Sequence, residues 1–256
     1  MNDAPNREFY VGYLEKAPPG LARHMQRSVV RVLIIAVVLC ALLVLGQHPL
    51  GTSTFEFGTY REFQGIIREN PYPMLEVARP GRGDLPSGYS RYHLVLTGKH
   101  GAGPEVAGHD GKLAKLQGSL IYRDDQTMIE LVKGTVELMN QRAGLRPEIS
   151  ESLGTFVLQG EIVDSKCYLG VMNPAERKPH KSCAIRCISG GIPPILLVRS
   201  DEGWPGYFLL ESFEGRSVNE SVLELVAEPV EIEGEVFRED DLLVLRADPR
   251  TYRPLR

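Results

Sequence analysis

Residues 32–46 read VLIIAVVLCALLVLG, apolar on every helical face and free of charge. Elsewhere the chain carries little helical signal, so a run of this kind predicts a bilayer span rather than one face of a core helix. Extended back through Ser28 to residues 28–46, it approaches the roughly 20 residues that cross a bilayer, with Arg31 placed to snorkel to the headgroups. A cleaved signal peptide is the rival reading. The long leading segment, residues 1–27, and the lack of a small-residue cleavage site before His48 and Pro49 weigh against it.

Beyond the span the pattern changes to short alternating apolar runs punctuated by Gly, Pro and Asp, which predicts strands and tight turns. Two stretches share a plan. Gly58, Thr59 and Tyr60 lead to Gln64, Gly65, Ile66 and Ile67, as Gly154, Thr155 and Phe156 lead to Gln159, Gly160, Glu161 and Ile162. Farther on, Leu116 to Leu120 run into Asp124 and Asp125 and then Met128 to Leu131. Their counterparts are Ile232 to Val236, Asp240 and Asp241, and Leu242 to Leu245. Each is strand, acidic turn, strand, so the paired aspartates are read as hairpin chemistry and not as acid–base catalysts. Tyr92 to Leu96 add a strand to the first half, and Ile195 to Val198 and Tyr207 to Leu210 add two to the second. Ser217 is placed to cap a short helix bearing Val218, Val222, Leu223 and Val226. Strand, two strands, helix, two strands is the order of a small five-stranded barrel of the oligonucleotide/oligosaccharide-binding (OB) type. The expected fold is therefore mainly β: one transmembrane helix followed by two tandem OB-like β-barrels. The first spans residues 52–140 and the second 153–256, and the polar stretch between them contains Gly144 and Pro147.

Charge gives the span a direction. Lys16, Arg23, His24, Arg27 and Arg31 precede the apolar run, and the flank after it carries only Glu56, so the positive-inside bias keeps the N-terminus cytoplasmic. A single-pass inner-membrane protein with periplasmic or otherwise extracytoplasmic barrels is expected. With 24 % charged residues and a net charge of −4, the chain offers no electrostatic footprint for nucleic acid. Hydrolase-elbow, zinc-protease, P-loop and dinucleotide signatures are absent, and no catalytic residue is assigned.

The chemistry concentrates in cysteines. Cys40 lies within the span and reads as a packing residue, whereas Cys167, Cys183 and Cys187 are exported, with His180 beside them. On a helix, His180, Cys183 and Cys187 fall at i, i+3 and i+7 on one face, and Cys167 follows the first strand of its barrel closely enough to join them. A Cys₃His set suits zinc, copper(I) or an iron–sulfur centre. The competing reading is a disulfide from Cys167 to Cys183 or Cys187, contributing about 3 kcal/mol by loop closure and leaving one odd thiol. Thiol–disulfide exchange lacks its CxxC motif, and c-type haem attachment lacks CxxCH. Gly190, Gly191, Pro193 and Pro194 then end the helix and open a strand, the glycines allowing a close backbone approach. His93, His100 and His109 are read as solvated loop residues.

The string from Gly160 to Cys167, followed by His180-x-x-Cys183-Ala184-x-x-Cys187 and Gly190-Gly191-Ile192-Pro193, resembles a group of uncharacterised exported bacterial domains built as single OB-type barrels. The resemblance covers roughly residues 154–245 and implies fold and compartment, without an activity. The expected role is a membrane-anchored, non-enzymatic binding or accessory subunit with a Cys₃His metal or redox-cofactor site. Its expected partners are the membrane and an envelope protein, with an electron-transfer complex as the expected setting. Two alternatives stay open: a disulfide-stapled partner-binding module, and a chaperone delivering metal or haem.

Overall fold

A computed structural model describes residues 17–46, 53–80, 85, 87–140, 150–199 and 205–255. The chain divides into two units, residues 1–50 and 51–256. In the first, helix α1 (Pro19–Leu45) runs for 27 residues, about 40 Å at 1.5 Å per residue, and none of its side chains is buried. It starts at a proline, where a missing N–H costs nothing, earlier than the apolar run alone indicates. With a mean hydropathy of 3.0 over its most apolar window, α1 is long and apolar enough to cross a bilayer, a composition that a signal sequence shares.

The second unit opens with β1 (Ser53–Phe55), β2 (Arg61–Arg68), β3 (Met74–Ala78), β4 (Tyr89–Leu96), the short β5 (His100–Gly101), helix α2 (Gly103–Val106), β6 (Leu113–Arg123), β7 (Gln126–Leu131) and β8 (Glu137–Leu138). Strand β2 pairs with β3 and β6, β3 with β4, β4 runs parallel to β7, and β7 closes on β6. Ile67, Leu75, Leu94, Leu116, Ile129 and Leu131 fill the resulting barrel, and Val106 of α2 plugs its end. A second closed barrel repeats the plan with β9 (Glu151–Asp164), β10 (Pro194–Arg199), β11 (Pro205–Glu211), a 3₁₀ turn (Glu220–Leu225), β12 (Pro229–Glu239) and β13 (Leu242–Arg246). The chain is mainly β, with two five-stranded OB-like barrels in tandem.

The glycines of the two halves occupy matching places, Gly65 and Gly160 in the first strands and Gly118 and Gly234 in the fourth. A Cβ on Gly160 would lie 2.5 Å from the Leu197 carbonyl oxygen, and one on Gly234 would lie 2.6 Å from that of Arg246, so each strand bends tightly onto its neighbour there. Asp124 and Asp240 adopt φ of 53° and 55° at the hairpin tips, the left-handed geometry that aspartate tolerates, in agreement with their reading as turn residues. The helix expected from Ser217 is a shorter 3₁₀ turn beginning at Glu220. Val222 and the flanking Val218 and Val226 are still buried in the barrel.

The two barrels share a core. Val95, Ile121 and Met128 of the first pack with Val163, Leu169, Ile192 and Ile195 of the second. Polar groups cross as well. The Tyr72 hydroxyl donates to the Leu210 carbonyl at 2.7 Å and accepts from the Val218 amide at 3.1 Å. Buried Lys166 pairs with Glu130 at 2.5 Å and donates to the Leu96 and Gly98 carbonyls. Arg91 meets Glu239 at 2.7 Å and Asp240 at 3.3 Å. Such buried ions are tolerated because each is paired and hydrogen-bonded.

Candidate metal centre

The barrels differ in what joins their first two strands. In the second, the connection from β9 to β10 contains a π-helical turn (Cys167–Val171) and helix α3 (Arg177–Ser189). Helix α3 is fixed by apolar side chains, Ala184 and Ile188 entering the core of the second barrel and Cys187 the shared core. Its C-terminus is closed by Gly190, whose amide reaches back to the Arg186 and Cys187 carbonyls, and by Gly191 at φ 95°. Asn219 donates to the Ile188 and Ile192 carbonyls at 2.7 and 2.9 Å, satisfying acceptors that the helix end leaves open.

One carboxylate organises the site. Asp164, the last residue of β9 and fully buried, accepts from the Cys167 amide on Oδ1 and from His180 Nε2 on Oδ2, both at 2.8 Å. His180 is itself 2 % exposed, and its Nδ1 has no hydrogen-bond partner. A ring nitrogen of His180 and the sulfurs of Cys167 and Cys183 lie within 4.8 Å of one another. The sulfurs of Cys167 and Cys187 and a carboxylate oxygen of Asp164 form a second such group. Cys167 belongs to both; His180 and Cys183 complete one triad, and Cys187 completes the other with Asp164. Around one zinc ion at about 2.3 Å from sulfur and 2.0 Å from nitrogen, tetrahedral ligand atoms stand roughly 3.3–3.8 Å apart. The donors within each triad thus need to draw in by up to about 1.5 Å.

No disulfide joins these residues: Cys167, Cys183 and Cys187 are free thiols, as is Cys40. The stapled-loop expectation therefore has no counterpart in the structure. Cys167 and Cys187 share a hydrogen bond instead. That bond holds the Cys187 thiol below its ordinary range, assisted by Lys99. It pushes Cys167 up, assisted by burial.

Sequence reasoning missed Lys99 and Asp164. Lys99 comes from the first barrel, in the turn between β4 and β5, and its Nζ donates to Cys183 Sγ at 2.6 Å and reaches Cys187 Sγ at 3.7 Å. Hydrogen bonding to Cys183 raises the Lys99 ammonium above its ordinary range. The close approach expected of Gly190 and Gly191 is what places Lys99. The Gly101 amide donates to the Gly190 carbonyl at 2.9 Å, a Cβ on Gly190 would strike the Lys99 carbonyl, and one on Gly101 would strike that of Gly191. Nothing in the spacing of Lys99 marks it. The signal was the pair Gly190 and Gly191, which leaves room for the backbone at Lys99 and Gly101.

The histidine expectation is corrected at one position. His100 is exposed and His109 half-buried, but His93 sits inside β4 at 2 % exposure with neither ring nitrogen hydrogen-bonded. Burial, with Arg91 nearby, lowers its pKa to about 4, which keeps the ring neutral. Among the described residues, the two triads around Cys167 are the groups that gather three metal donors. No family model matches the chain, and no curated protein matches it.

Proposed function

We propose that this chain is a membrane-anchored, extracytoplasmic accessory subunit whose second barrel holds a single metal ion on Cys167, His180, Cys183 and Cys187. The observation that carries the reading is His180: a buried imidazole with Nε2 held by a buried carboxylate, Nδ1 left without a partner, and a ring nitrogen within 4.8 Å of the free thiols of Cys167 and Cys183. A carboxylate on the far nitrogen fixes the tautomer and orientation of a metal-ligating histidine. Three sulfurs and one imidazole nitrogen suit zinc or copper(I), and two donor triads that share Cys167 favour one ion over an iron–sulfur cluster. Lys99 offsets part of the negative charge that three thiolates bring.

The N-terminal positive charges and the apolar α1 support an anchor with its N-terminus inside, which holds the barrels at the outer face of the bilayer, where an envelope partner is met.

The test is elemental analysis with thiol counting on the full-length protein purified anaerobically in detergent. One ion per chain with the three thiols protected from alkylation is expected. Absence of metal, with two of the three thiols oxidised, would refute the reading. His180→Ala separates the classes further, since it weakens metal binding here and would be nearly silent in a module that the cysteines merely staple.

A further inference from the structure

Cys167, Cys187, His180 and Asp164 are all buried, whereas Cys183 is half-buried and faces Lys99, which is exposed. The site therefore has one open side, with a single ligand on it and a single cation over that ligand. The cation is supplied by the other barrel, on a turn fixed by the contact of Gly101 with Gly190 and Gly191.

Resting on the metal reading above, we infer that the ion is exchanged through Cys183, and that Lys99 is the station that holds the Cys183 thiolate while it is off the metal. The centre is then a transfer site for a divalent ion rather than a permanent staple. In the exchange step a donor atom of the incoming acceptor bonds the ion, the bond from the ion to Cys183 Sγ breaks, and the electron pair of that bond stays on sulfur. The thiolate so released is paired with the Lys99 ammonium, and nothing is oxidised or reduced. An ammonium interacts more strongly with a free thiolate than with one whose charge is shared with a metal, so Lys99 favours the opened state. Buried Cys167, which belongs to both donor triads, and its buried neighbours meanwhile retain the ion until an acceptor with two or more donors, thiolate or nitrogen, completes the transfer. Lys99 is a positioning residue in this account and touches no metal.

The sign of its effect is the test. Full-length protein in detergent, loaded with zinc, is mixed with a chromophoric zinc chelator in excess and the rate of zinc transfer is followed. Lys99→Met should bind one zinc per chain and transfer it about tenfold more slowly, the effect of one charge-assisted hydrogen bond, and Lys99→Arg should restore most of the rate. Lys99→Gln keeps a hydrogen-bond donor but loses the charge and should transfer as slowly as Lys99→Met, which keeps the test valid if Lys99→Met folds poorly. Equal rates in wild type and Lys99→Met, or faster transfer in Lys99→Met as for a lid that merely covers the mouth, would overturn the inference. A wild type that binds no zinc would instead overturn the metal reading itself.

Discussion

Replacing Asp164 with asparagine removes one charge and almost no volume, and it asks whether the carboxylate builds the metal site. Asp164 accepts two hydrogen bonds on two oxygens, from the Cys167 amide and from His180 Nε2, each at 2.8 Å. Asparagine has one acceptor oxygen, so either the turn carrying Cys167 or the imidazole of His180 loses its hold, and the ring loses the negative charge that makes it a better donor to metal. Loss of such an outer carboxylate costs about 10–100-fold in metal affinity, or roughly 1.4–2.8 kcal/mol at 1.4 kcal/mol per decade. Competition of the protein against a zinc chelator gives the dissociation constants directly. Thermal or urea unfolding gives them independently. With free zinc well above both constants, zinc stabilises the native state by RT ln([Zn]/Kd), so its stabilisation of Asp164→Asn should fall short by the same amount. The metal-free proteins, compared with each other, report the separate cost of the lost buried hydrogen bond, about 1–3 kcal/mol. Wild-type zinc affinity in Asp164→Asn would refute the assignment of His180 as a ligand oriented from behind.

Three further outcomes follow from the shared core and its glycine contacts. The pKa of His93 falls from 6.5 to about 4 on folding, so the unfolded chain binds the proton first and stability declines as pH drops from about 6.5 to 4, by up to about 3 kcal/mol below that window. Urea titrations of His93→Leu should lose that part of the acid slope, and an unchanged slope would show that the ring protonates in place. Tyr72→Phe leaves the Leu210 carbonyl and the Val218 amide without their buried partner and should cost about 1–3 kcal/mol, read as a lowered urea midpoint. Gly190→Ala drives a methyl group into the Lys99 carbonyl and should destabilise by about 1–3 kcal/mol while slowing zinc transfer as Lys99→Met does. A stable Gly190→Ala protein with normal transfer would contradict the packing described.

The barrels were legible because their signals are local. Alternating runs, the central glycines Gly65 and Gly160, and the aspartate pairs at the hairpin tips each act within a few residues of where they stand. The helix that carries His180, Cys183 and Cys187 was legible for the same reason, since it needs only a local helical period. What the sequence hid is contact between halves. Asp164 reads as the ordinary polar end of a strand, Lys99 as a loop lysine, and His93 as one of three scattered histidines. Their roles come from burial against partners far along the chain, as the pairing of Lys166 with Glu130 also does. Periodicity carries no information about such pairings, and only the Gly190–Gly191 pair hinted at one.

The division of labour within the insert explains why a metal site here need not be a folding nucleus. Small zinc domains that lack a core gain their fold from the ion. Here α3 is pinned by Ala184 and Ile188 in the barrel, its C-terminus is capped by Asn219, and Asp164 ties Cys167 to His180 before any ion is considered. The donors are thus held near their working positions by packing and hydrogen bonds, so releasing the ion costs little structure. A site preorganised in this way, with one ligand facing solvent beneath a cation from the neighbouring barrel, is suited to giving a metal up as well as to keeping it. The second barrel alone carries Cys167, His180, Cys183 and Cys187, and the first barrel brings Lys99 against Cys183, so in the proposed exchange the shared core between the barrels has a chemical purpose beyond stability.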